Sequence, residues 1–399
     1  MKTIELRRGK AASLQRFHPW VFSGAIGRLD DDITDGDLVR LVDHEGQYLA
    51  TGHYERGSIA VRILTFDDEV VDAAFWHGRL EAAYAVRMAL RLTGQDSAGR
   101  PNDVFRLVHG EGDRLPGLVV DVYGPTAVVQ AHSAGMHRAR RQIAQAIVDA
   151  TGGLVSNVYY KSEGTLPYMV GAEEAKAEFL IGETAVDVAT ECGLRFHIDW
   201  LRGQKTGFFI DQRENRRLLE SYAAGRDVLN MFCYTGGFSV YALRGGARSV
   251  HSVDSSAKAM ALTEGNVALN FPSDTRHEGF TKDAFDFLSA LPHHSAYDLI
   301  VLDPPAFAKH RDATVAAVRG YTRLNAIAFE RIRHGGILFT FSCSQAISKE
   351  QFRLAVFTAA ARSGRHVRIL HQLHQPADHP INIYHPEGEY LKGLVLYVE

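Results

Sequence analysis

Hydrophobic and polar residues follow three different patterns along the chain, and the first predicts a small β-barrel. From the N-terminus to about Phe66, apolar or alternating runs such as DLVRLVD, YLATGHY and IAVRIL are separated by turns rich in Gly and Asp. Short alternating runs between such turns are typical of strands. We place this domain at residues 1–68.

The second pattern predicts a small α+β domain at residues 69–178. The segment FDDEVVDAAFWHGRLEAAYAVRMALRL keeps approximate helical spacing and ends at Thr93-Gly94. Strand-like runs follow between residues 105 and 132, then the helical run MHRARRQIAQAIVDA and the strand-like GLVSNVYY. This order of strands and helix is βββ-α-β.

The third pattern predicts a doubly wound α/β domain at residues 179–399 that begins with a β-hairpin. Apolar strands expected near 227–232, 248–253, 275–280, 297–302 and 335–342 alternate with helical segments. Such alternation indicates a parallel sheet with helices on both faces. The last two strand-like runs, HVRILHQL and LKGLVLYVE, are separated by a short Pro-containing loop, which favours an antiparallel final pair.

Composition narrows the class of protein. The chain has 399 residues, of which 46% are hydrophobic, and we find no run near the ~20 apolar residues of a membrane span, so we expect a cytoplasmic protein with no membrane partner. The three cysteines, Cys192, Cys233 and Cys343, have no C-x-x-C spacing, so we expect neither a disulfide framework nor a metal site. A net charge of −3 leaves nucleic-acid binding to be decided by local clusters.

The stretch DVLNMFCYTGGFSVYALRGGA predicts a nucleoside-cofactor site. An apolar strand is followed by a turn with adjacent glycines, Gly236 and Gly237, and then by a helix. Asp254 ends the next strand, at about the spacing where a carboxylate accepts hydrogen bonds from a ribose. Adjacent glycines do not match G-x-G-x-x-G, so a pyrophosphate is not indicated, and a packing turn is an equally common alternative.

Two further strand ends carry candidate chemistry. DLIVLDPPAFAK delivers Asp303 to the end of one strand, and the two prolines after it are expected to hold Phe307 over the cleft. FTFSCS brings Cys343 to the same edge of the sheet. The alternatives are a strand that ends at a proline turn and a cysteine buried in the core.

Two basic clusters are candidates for RNA contacts. Arg7, Arg8 and Lys10 lie near Trp20 and other aromatic residues, a mixture suited to phosphates and unpaired bases. A solvated face beside core aromatics is an equal alternative. Arg213 and two neighbouring arginines follow GQKTGFFIDQ and form a second candidate face.

Taken together, these motifs resemble those of RlmI-type bacterial large-subunit rRNA cytosine-5 methyltransferases, class I enzymes with an N-terminal PUA domain. The resemblance rests on WVFSGAI and GDLVRLVD at the start, GQKTGFFIDQR as motif X, NMFCYTGGFS as motif I, then Asp254, Asp283, DPPAFAK, FSCS and HPEGEYLKG. It covers essentially the whole chain, and the order of the motifs is more specific than any one of them.

The resemblance implies a cofactor, a nucleophile and an RNA substrate. The cofactor would be S-adenosyl-L-methionine, held by Lys205, Thr206, Phe209, Asp211, Phe232, Tyr234, Gly236, Asp254, Asp283 and Asp303. Cys343 would attack C6 of a cytosine in 23S rRNA, with Asp303 assisting. RNA contacts would come from Arg7, Arg8, Lys10, Trp20, Arg213 and Lys309.

One departure and two alternatives stay open. Many RNA cytosine-5 methyltransferases carry a second cysteine after the Asp-Pro pair, where this chain has Pro305-Ala306, so the base for the release step is unassigned. Asp-Pro-Pro followed by Phe is also similar to methyltransferases that act on an exocyclic amino group. The second alternative is a non-catalytic RNA-binding factor for ribosome assembly. Whether the chain forms a homodimer is left open.

Overall fold

A computed structural model describes residues 1–167, 170, 171, 175–183, 187–294, 297–308 and 310–399. The chain divides into two compact units, which we treat separately. Unit 1 contains Met1–Gly193, Ile198–Ile210 and Ala377–Gly388, and unit 2 contains Leu194–His197, Asp211–Pro376 and Glu389–Glu399. The first two predicted domains therefore belong to one unit, together with three segments that the sequence pattern assigned to the third domain, residues 179–193, 198–210 and 377–388.

Unit 1 begins with a six-stranded sheet. Its strands are β1 (Lys2–Leu6), β2 (Trp20–Phe22), β3 (Ile26–Leu29), β4 (Leu38–Val42), β5 (Tyr48–Tyr54) and β6 (Ile59–Thr65). The order is β2-β6-β5-β4-β1-β3, with β1 and β4 parallel. Alternate residues such as Ile4 and Leu6 or Val39 and Leu41 are buried, as a period of two requires. β2 and β3 are the two edges of the described pairing, and this half-barrel sheet agrees with the small all-β domain that the sequence predicted.

The second part of unit 1 is the expected α+β layer. Its elements are α1 (Ala73–Ala89), β7 (Gly94–Gln95), β8 (Pro101–Asn102), β9 (Val104–His109), β10 (Leu118–Tyr123), β11 (Thr126–Ala131), α2 (Ala134–Ala150), β12 (Asn157–Tyr160) and β13 (Glu178–Ile181). The sheet runs β13-β12-β11-β10-β9. Both helices begin at a capping side chain, Asp72 for α1 and Ser133 for α2, and pack apolar residues such as Leu80 and Ile147 into one core.

The rest of the chain contains most of unit 2. The elements are β14 (Val188–Glu191), β15 (Leu194–His197), α3 (Arg213–Tyr222), β16 (Asp227–Met231), α4 (Gly237–Arg244), β17 (Ser249–Asp254), α5 (Ala257–Asn270), β18 (His277–Thr281), α6 (Ala284–Ala290), β19 (Leu299–Leu302), α7 (Thr314–Arg331), β20 (Gly336–Ser342), α8 (Lys349–Ser363), β21 (Val367–Leu373) and β22 (Lys392–Val398). None of the helices in the described ranges is both long and apolar enough to cross a membrane.

The sheet of unit 2 has the predicted doubly wound topology. Its order is β18-β17-β16-β19-β20-β22-β21, parallel from β18 to β20. The last strand, β22, is antiparallel to both neighbours, which confirms the expected antiparallel final pair. The central strands β19 and β20 are buried along their whole length, as the continuous apolar runs predict.

This topology fixes where chemistry can occur in unit 2. The carboxyl ends of β16, β17, β19 and β20 lie at one edge of the sheet because these four strands are parallel. Ligands of open α/β sheets bind at this edge. The four strands end at or directly before the candidates that the sequence identified, Phe232, Asp254, Asp303 and Cys343.

Candidate active site

The turn between β16 and α4 has an unusual backbone. Phe232 and Tyr234 adopt positive φ angles of 59° and 48°, and Gly236 has a φ of 73° where it caps α4. Side chains rarely adopt this conformation, and backbone strain of this kind is concentrated at functional sites. Gly236 is also required by space, since a Cβ at this position would lie 2.6 Å from Thr263 Cγ2.

Helix α5 holds this turn in place. The Thr263 hydroxyl donates to the carbonyl of Tyr234 at 3.0 Å, and the Asn266 amide donates to the carbonyl of Thr235 at 2.9 Å. Both side chains are buried. The turn is therefore organised before any ligand binds, which is what a preformed cofactor site requires.

Asp254 is oriented by backbone N–H groups. Its Oδ2 accepts from Tyr234 N at 3.0 Å and its Oδ1 accepts from Ser256 N at 2.9 Å. A carboxylate has about four acceptor sites, so two such bonds fix its direction and leave capacity for ribose hydroxyls. The end of β17 and the turn after β16 are thus joined through this one side chain.

Asp283 begins the next helix. Its Oδ1 accepts from Phe285 N at 2.8 Å and from Asp286 N at 3.1 Å, which caps α6. The side chain is exposed and lines a hollow together with Lys282, Asp286 and Phe287. The predicted contact with the adenine amino group stays a prediction, with Oδ2 as the oxygen that the cap does not use.

Asp303 is positioned by the segment that contains motif X. The Gln212 amide donates to Asp303 Oδ2 at 3.0 Å, and the Asn215 amide donates to Gln212 Oε1 at 2.6 Å. Gln212 is only 3% exposed. A buried amide held at both ends keeps the carboxylate in one orientation, so these two side chains support the end of β19.

Cys343 lies in a loop that is fixed from both sides. The flanking hydroxyls of Ser342 and Ser344 both hydrogen-bond to the Tyr321 hydroxyl, at 2.9 Å and 3.0 Å. Ser344 Oγ also accepts from Ala308 N at 3.3 Å, in the loop after Asp303. The structure therefore brings the DPPAFA loop and the FSCS strand end together, as the sequence predicted.

The three thiols differ in exposure. Cys343 is partly exposed, whereas Cys192 and Cys233 are buried. Burial raises the pKa of Cys233 to about 12, although a hydrogen bond with Thr263 acts in the opposite direction. A thiol with so high a pKa is almost never the anion at neutral pH, so Cys233 is a poor nucleophile. Cys343 is the better placed of the three.

Lys392 reaches the loop after Cys343 from the neighbouring strand. It is the register partner of Ser342, and its ammonium group donates to the carbonyls of Ser344 at 2.7 Å and Ile347 at 2.8 Å. Only 6% of the residue is exposed. A buried lysine is unusual, because burial disfavours the charged form of the side chain.

Phe307 is anchored by helix α7. Its ring packs on Tyr321, with ring centroids 4.6 Å apart, and lies against Gly320. Through these contacts with α7 the partly buried ring packs against the core of unit 2. Phe307 therefore supports the loop that carries Asp303, and its expected place over the cleft stays a prediction.

The motif X residues are divided between the two units. In unit 1, the Thr206 hydroxyl donates to Asp121 Oδ2 at 2.6 Å, and the exposed Lys205 places its ammonium group 5.0 Å from the centre of the half-buried Phe209 ring. In unit 2, Asp211 accepts a 2.7 Å hydrogen bond from the Tyr390 hydroxyl. The hydroxyl of Thr206 thus anchors its own segment, and the cofactor contacts of all four residues stay predictions.

The N-terminal basic residues lie on the surface of unit 1. Arg8 and Lys10 are exposed in the turn after β1, and Arg7 is exposed with its Nε donating to the Ile26 carbonyl. Trp20 is half-buried, and its indole N–H donates to Glu111 Oε1 at 2.8 Å. The three cations are therefore accessible to a phosphate, while the indole N–H is already engaged within the unit.

Arg213 is a correction to the sequence analysis. We expected it on an RNA-binding face, but it is 1% exposed and Arg216 is also buried. The side chain of Arg213 is buried at the start of α3, so in this fold its guanidinium does not reach a phosphate on the surface. Lys309, the last predicted RNA contact, lies outside the described residues.

Sequence reasoning missed the residues that support the site. Gln212, Tyr321 and Lys392 act through Asp303 or the Cys343 loop. Gln212 lies within GQKTGFFIDQR and Lys392 within HPEGEYLKG, but neither was singled out, and Tyr321 lies in no quoted motif. A usable signal existed for Lys392, which is a single cation at the start of the otherwise apolar run LKGLVLYV. For Gln212 the signal was its place in motif X, whereas Tyr321 has no such signal.

The site fits a nucleoside cofactor without phosphates. A strained Gly-containing turn and an oriented carboxylate at the neighbouring strand end suit a ribose and its attached groups. Two family models match the sequence. Residues 168–391 match the model for S-adenosylmethionine-dependent methyltransferases, and residues 4–66 match the model for PUA-like domains. The chain belongs to the S-adenosylmethionine-dependent methyltransferases.

Similar proteins support this membership over the full length. A protein named ribosomal RNA large subunit methyltransferase I from Klebsiella pneumoniae is 38% identical over 403 residues, covering 99% of this chain and 98% of its own. The protein of the same name from Aeromonas hydrophila is 39% identical over 401 residues, with the same coverage. The methyltransferase cofactor is therefore S-adenosylmethionine, as the resemblance implied.

Solved structures show the same fold. A structure described as a methyltransferase from Streptococcus mutans matches with a TM-score of 0.81 at 21% identity, and it covers all of both chains. A second methyltransferase structure, complexed with SAH, matches with a TM-score of 0.82 at 22% identity and also covers both chains fully. At this identity the likeness concerns the fold alone.

Proposed function

We propose that this methyltransferase modifies C5 of a cytosine in large-subunit rRNA through a covalent bond to Cys343. Relatives that match over the full length are named for methylation of large-subunit rRNA. In this proposal, DPPAFAK contributes the carboxylate of Asp303 and FSCS contributes the thiol of Cys343.

The observation that carries the proposal is the setting of Cys343. Its thiol is partly exposed at the end of a buried strand, and the residues on both sides of it are held by Tyr321. The hydrogen bond from Ala308 to Ser344 brings this loop beside the loop that begins with Asp303. An accessible thiol on a rigid support, next to an oriented carboxylate, is suited to nucleophilic catalysis.

The chemistry gives each group a distinct role. C5 of cytosine is a weak nucleophile until a thiolate adds to C6 and makes C5 electron-rich. In our proposal Cys343 supplies that thiolate, and Asp303, held by Gln212, hydrogen-bonds the polar edge of the cytosine. S-adenosylmethionine, when bound, supplies the methyl group. A base must then remove the C5 proton before the thiol leaves.

Cofactor binding is proposed to rest on the two strand ends beside the glycine turn. Asp254 would accept from the ribose hydroxyls, and Asp283 would accept from the adenine amino group. The turn itself would contribute Phe232, Tyr234 and Gly236. The contributions of Lys205, Thr206, Phe209 and Asp211 are proposed from the resemblance of GQKTGFFIDQR to motif X.

RNA would bind through the exposed cations of unit 1. Arg7, Arg8 and Lys10 share one surface turn, where they can pair with phosphates. The target cytosine must leave any base stack to meet Cys343, so an unpaired site should react faster than a structured one.

The decisive experiment is Cys343→Ser. A serine hydroxyl is similar in size to a thiol but is scarcely ionised, so we expect methyl transfer to be abolished while cofactor affinity and folding stay nearly unchanged. Cys192→Ser is the matched control, since that thiol is 1% exposed and lies in unit 1. Methyl transfer to rRNA and calorimetric cofactor binding are measured on all three proteins.

An adduct experiment tests the covalent step directly. With 5-fluorocytosine at the target position, fluorine cannot leave as the C5 proton does, so the wild type should form a complex that survives denaturation. Cys343→Ser should form none. An active Cys343→Ser enzyme, or a wild type that methylates normal RNA without trapping the analogue, would favour methylation of an exocyclic amino group. Mass spectrometry of rRNA from a deletion strain would identify the nucleotide.

A further inference from the structure

Lys392 is a buried cation with an uncommon set of partners. Its ammonium group donates to two backbone carbonyls, those of Ser344 and Ile347, and both acceptors are neutral. In the described parts of the chain no carboxylate forms an ion pair with its nitrogen. The nearby Glu389 pairs instead with Lys349. The two hydrogen bonds therefore use two of the three N–H donors without neutralising the charge.

Such an arrangement destabilises the folded protein unless a nearby negative charge interacts with the ammonium group. Burying an ammonium group without a counterion disfavours its charged form, and an apolar residue of similar length would avoid this cost. Burial lowers the pKa of Lys392 to about 8, and a thiolate at Cys343 is the first of the charges that oppose the lowering. Glu389 acts in the same direction as the thiolate, and Lys349 acts in the opposite direction.

The geometry links this charge to the thiol. Ser342 and Lys392 are paired across β20 and β22, and Cys343 directly follows Ser342. The carbonyl that accepts at 2.7 Å belongs to Ser344, the residue after Cys343. The ammonium group is therefore fixed beside the peptide that carries the nucleophile. The Tyr321 hydroxyl faces the same loop but is held by Ser342 and Ser344, and burial raises its pKa.

We propose that Lys392 is the positioning residue for the nucleophile, with its positive charge favouring the thiolate of Cys343 and its two hydrogen bonds fixing the loop. The inference rests on the proposed role of Cys343. The proton of the thiol is released to solvent, and Lys392 stays protonated. Since the opposite charge acts only while the lysine is protonated, its effect is largest at neutral pH and fades as the pH rises above about 8.

The test is the rate at which iodoacetamide alkylates Cys343 across the neutral and alkaline range, without RNA or cofactor. Alkylation of the Cys343 peptide is quantified by mass spectrometry. Lys392→Gln keeps a hydrogen-bond donor but removes the charge, so we expect alkylation about tenfold slower than wild type at neutral pH and equal rates at high pH. Lys392→Arg keeps the charge and should restore most of the neutral-pH rate.

Two controls separate charge from structure. Arg353→Gln removes an exposed positive charge from α8, the helix after the Cys343 loop, and should leave the profile unchanged. Lys392→Met is a second neutral variant of similar length, used if Lys392→Gln does not fold, and cofactor binding by calorimetry reports folding. A Gln or Met variant that matches wild type at all pH values, or is slower by the same factor at all of them, would overturn the proposal.

The proposed reaction and the proposed role of Lys392 are contradicted by different results. If Cys343→Ser still methylates RNA, the covalent mechanism fails, whatever the alkylation profile shows. If the wild type traps 5-fluorocytosine but neutral variants of Lys392 keep the wild-type profile, only the role of Lys392 fails.

Discussion

The two ends of the parallel sheet in unit 2 use the same residue type, aspartate, for different purposes. At the amino ends of the strands, Asp227 and Asp298 share two arginines. Arg248 donates to Asp227 at 2.9 Å and 2.6 Å, and Arg333 donates to Asp227 at 2.8 Å and Asp298 at 2.9 Å. At the carboxyl ends, Asp254 is held by backbone N–H groups.

The partners decide what each carboxylate can do. The Arg248 guanidinium holds the pKa of Asp227 well below its usual range, although partial burial acts against it. Two arginines occupy the acceptor sites of that cluster, so its role is to join the starts of β16 and β19. Backbone N–H groups orient Asp254 without a full counter-charge. The hydrogen-bond partners of an aspartate therefore distinguish a carboxylate that stabilises the fold from one that can bind a ligand.

The largest expected effect is the loss of cofactor affinity in Asp254→Ala. Removing a charge-assisted hydrogen bond costs about 1.5–3 kcal/mol, or roughly ten- to a hundredfold in affinity. Calorimetric titration with S-adenosylmethionine measures this effect. Asp227→Asn, at the opposite end of the same sheet, is the matched control and should bind the cofactor as the wild type does. Unchanged affinity in Asp254→Ala would contradict the assignment of Asp254 as a cofactor-binding residue.

The second effect is a loss of stability in Asp227→Asn. Weakening a shared two-arginine cluster should lower the free energy of unfolding by about 1–2 kcal/mol at neutral pH, measured by urea denaturation. The folded pKa of Asp227 is lowered, so this stabilisation is present above the ordinary pKa of about 4 and is lost as the pH falls below it. Wild type and variant should therefore converge in acid. A difference that persists there would point to packing instead of charge.

The smallest expected effect extends the contrast to the cations of unit 1. Arg106 is locked by Asp121, with hydrogen bonds of 2.7 Å and 2.8 Å, whereas Arg8 and Lys10 are exposed. The double change Arg8→Gln and Lys10→Gln should weaken RNA binding a few-fold and lower the slope of log affinity against log salt by about 1.4 for unpaired RNA. Filter binding at several salt concentrations measures both.

A paired cation supplies the control for that measurement. Arg40 lies in the same sheet and forms a bidentate salt bridge with Asp68, so Arg40→Gln should change the salt slope little. An equal fall in slope for this variant and for the double variant would mean that overall charge governs RNA affinity. Cofactor binding should be the same in all of these proteins.

Much of the site in unit 2 was predictable because short local sequence patterns specify where strands end. The apolar runs before Asp254, Asp303 and Cys343 fix where each strand stops, and parallel pairing then brings the ends to one edge. The prediction for Arg213 failed because its surroundings come from distant parts of the chain. Helical spacing shows which residues share a face, but it does not show whether that face is buried.

The sequence by itself determined the order of the strands and helices, the doubly wound class of the last domain, the family and the cofactor. Those depend on periodicity and on short motifs, which act within a few residues. Only the tertiary structure assigned residues 377–388 to unit 1 and put Lys392 beside the Cys343 loop. Lys392 and Ser344 are 48 residues apart in sequence, and their contact exists because β20 and β22 pair antiparallel, an arrangement no local pattern specifies.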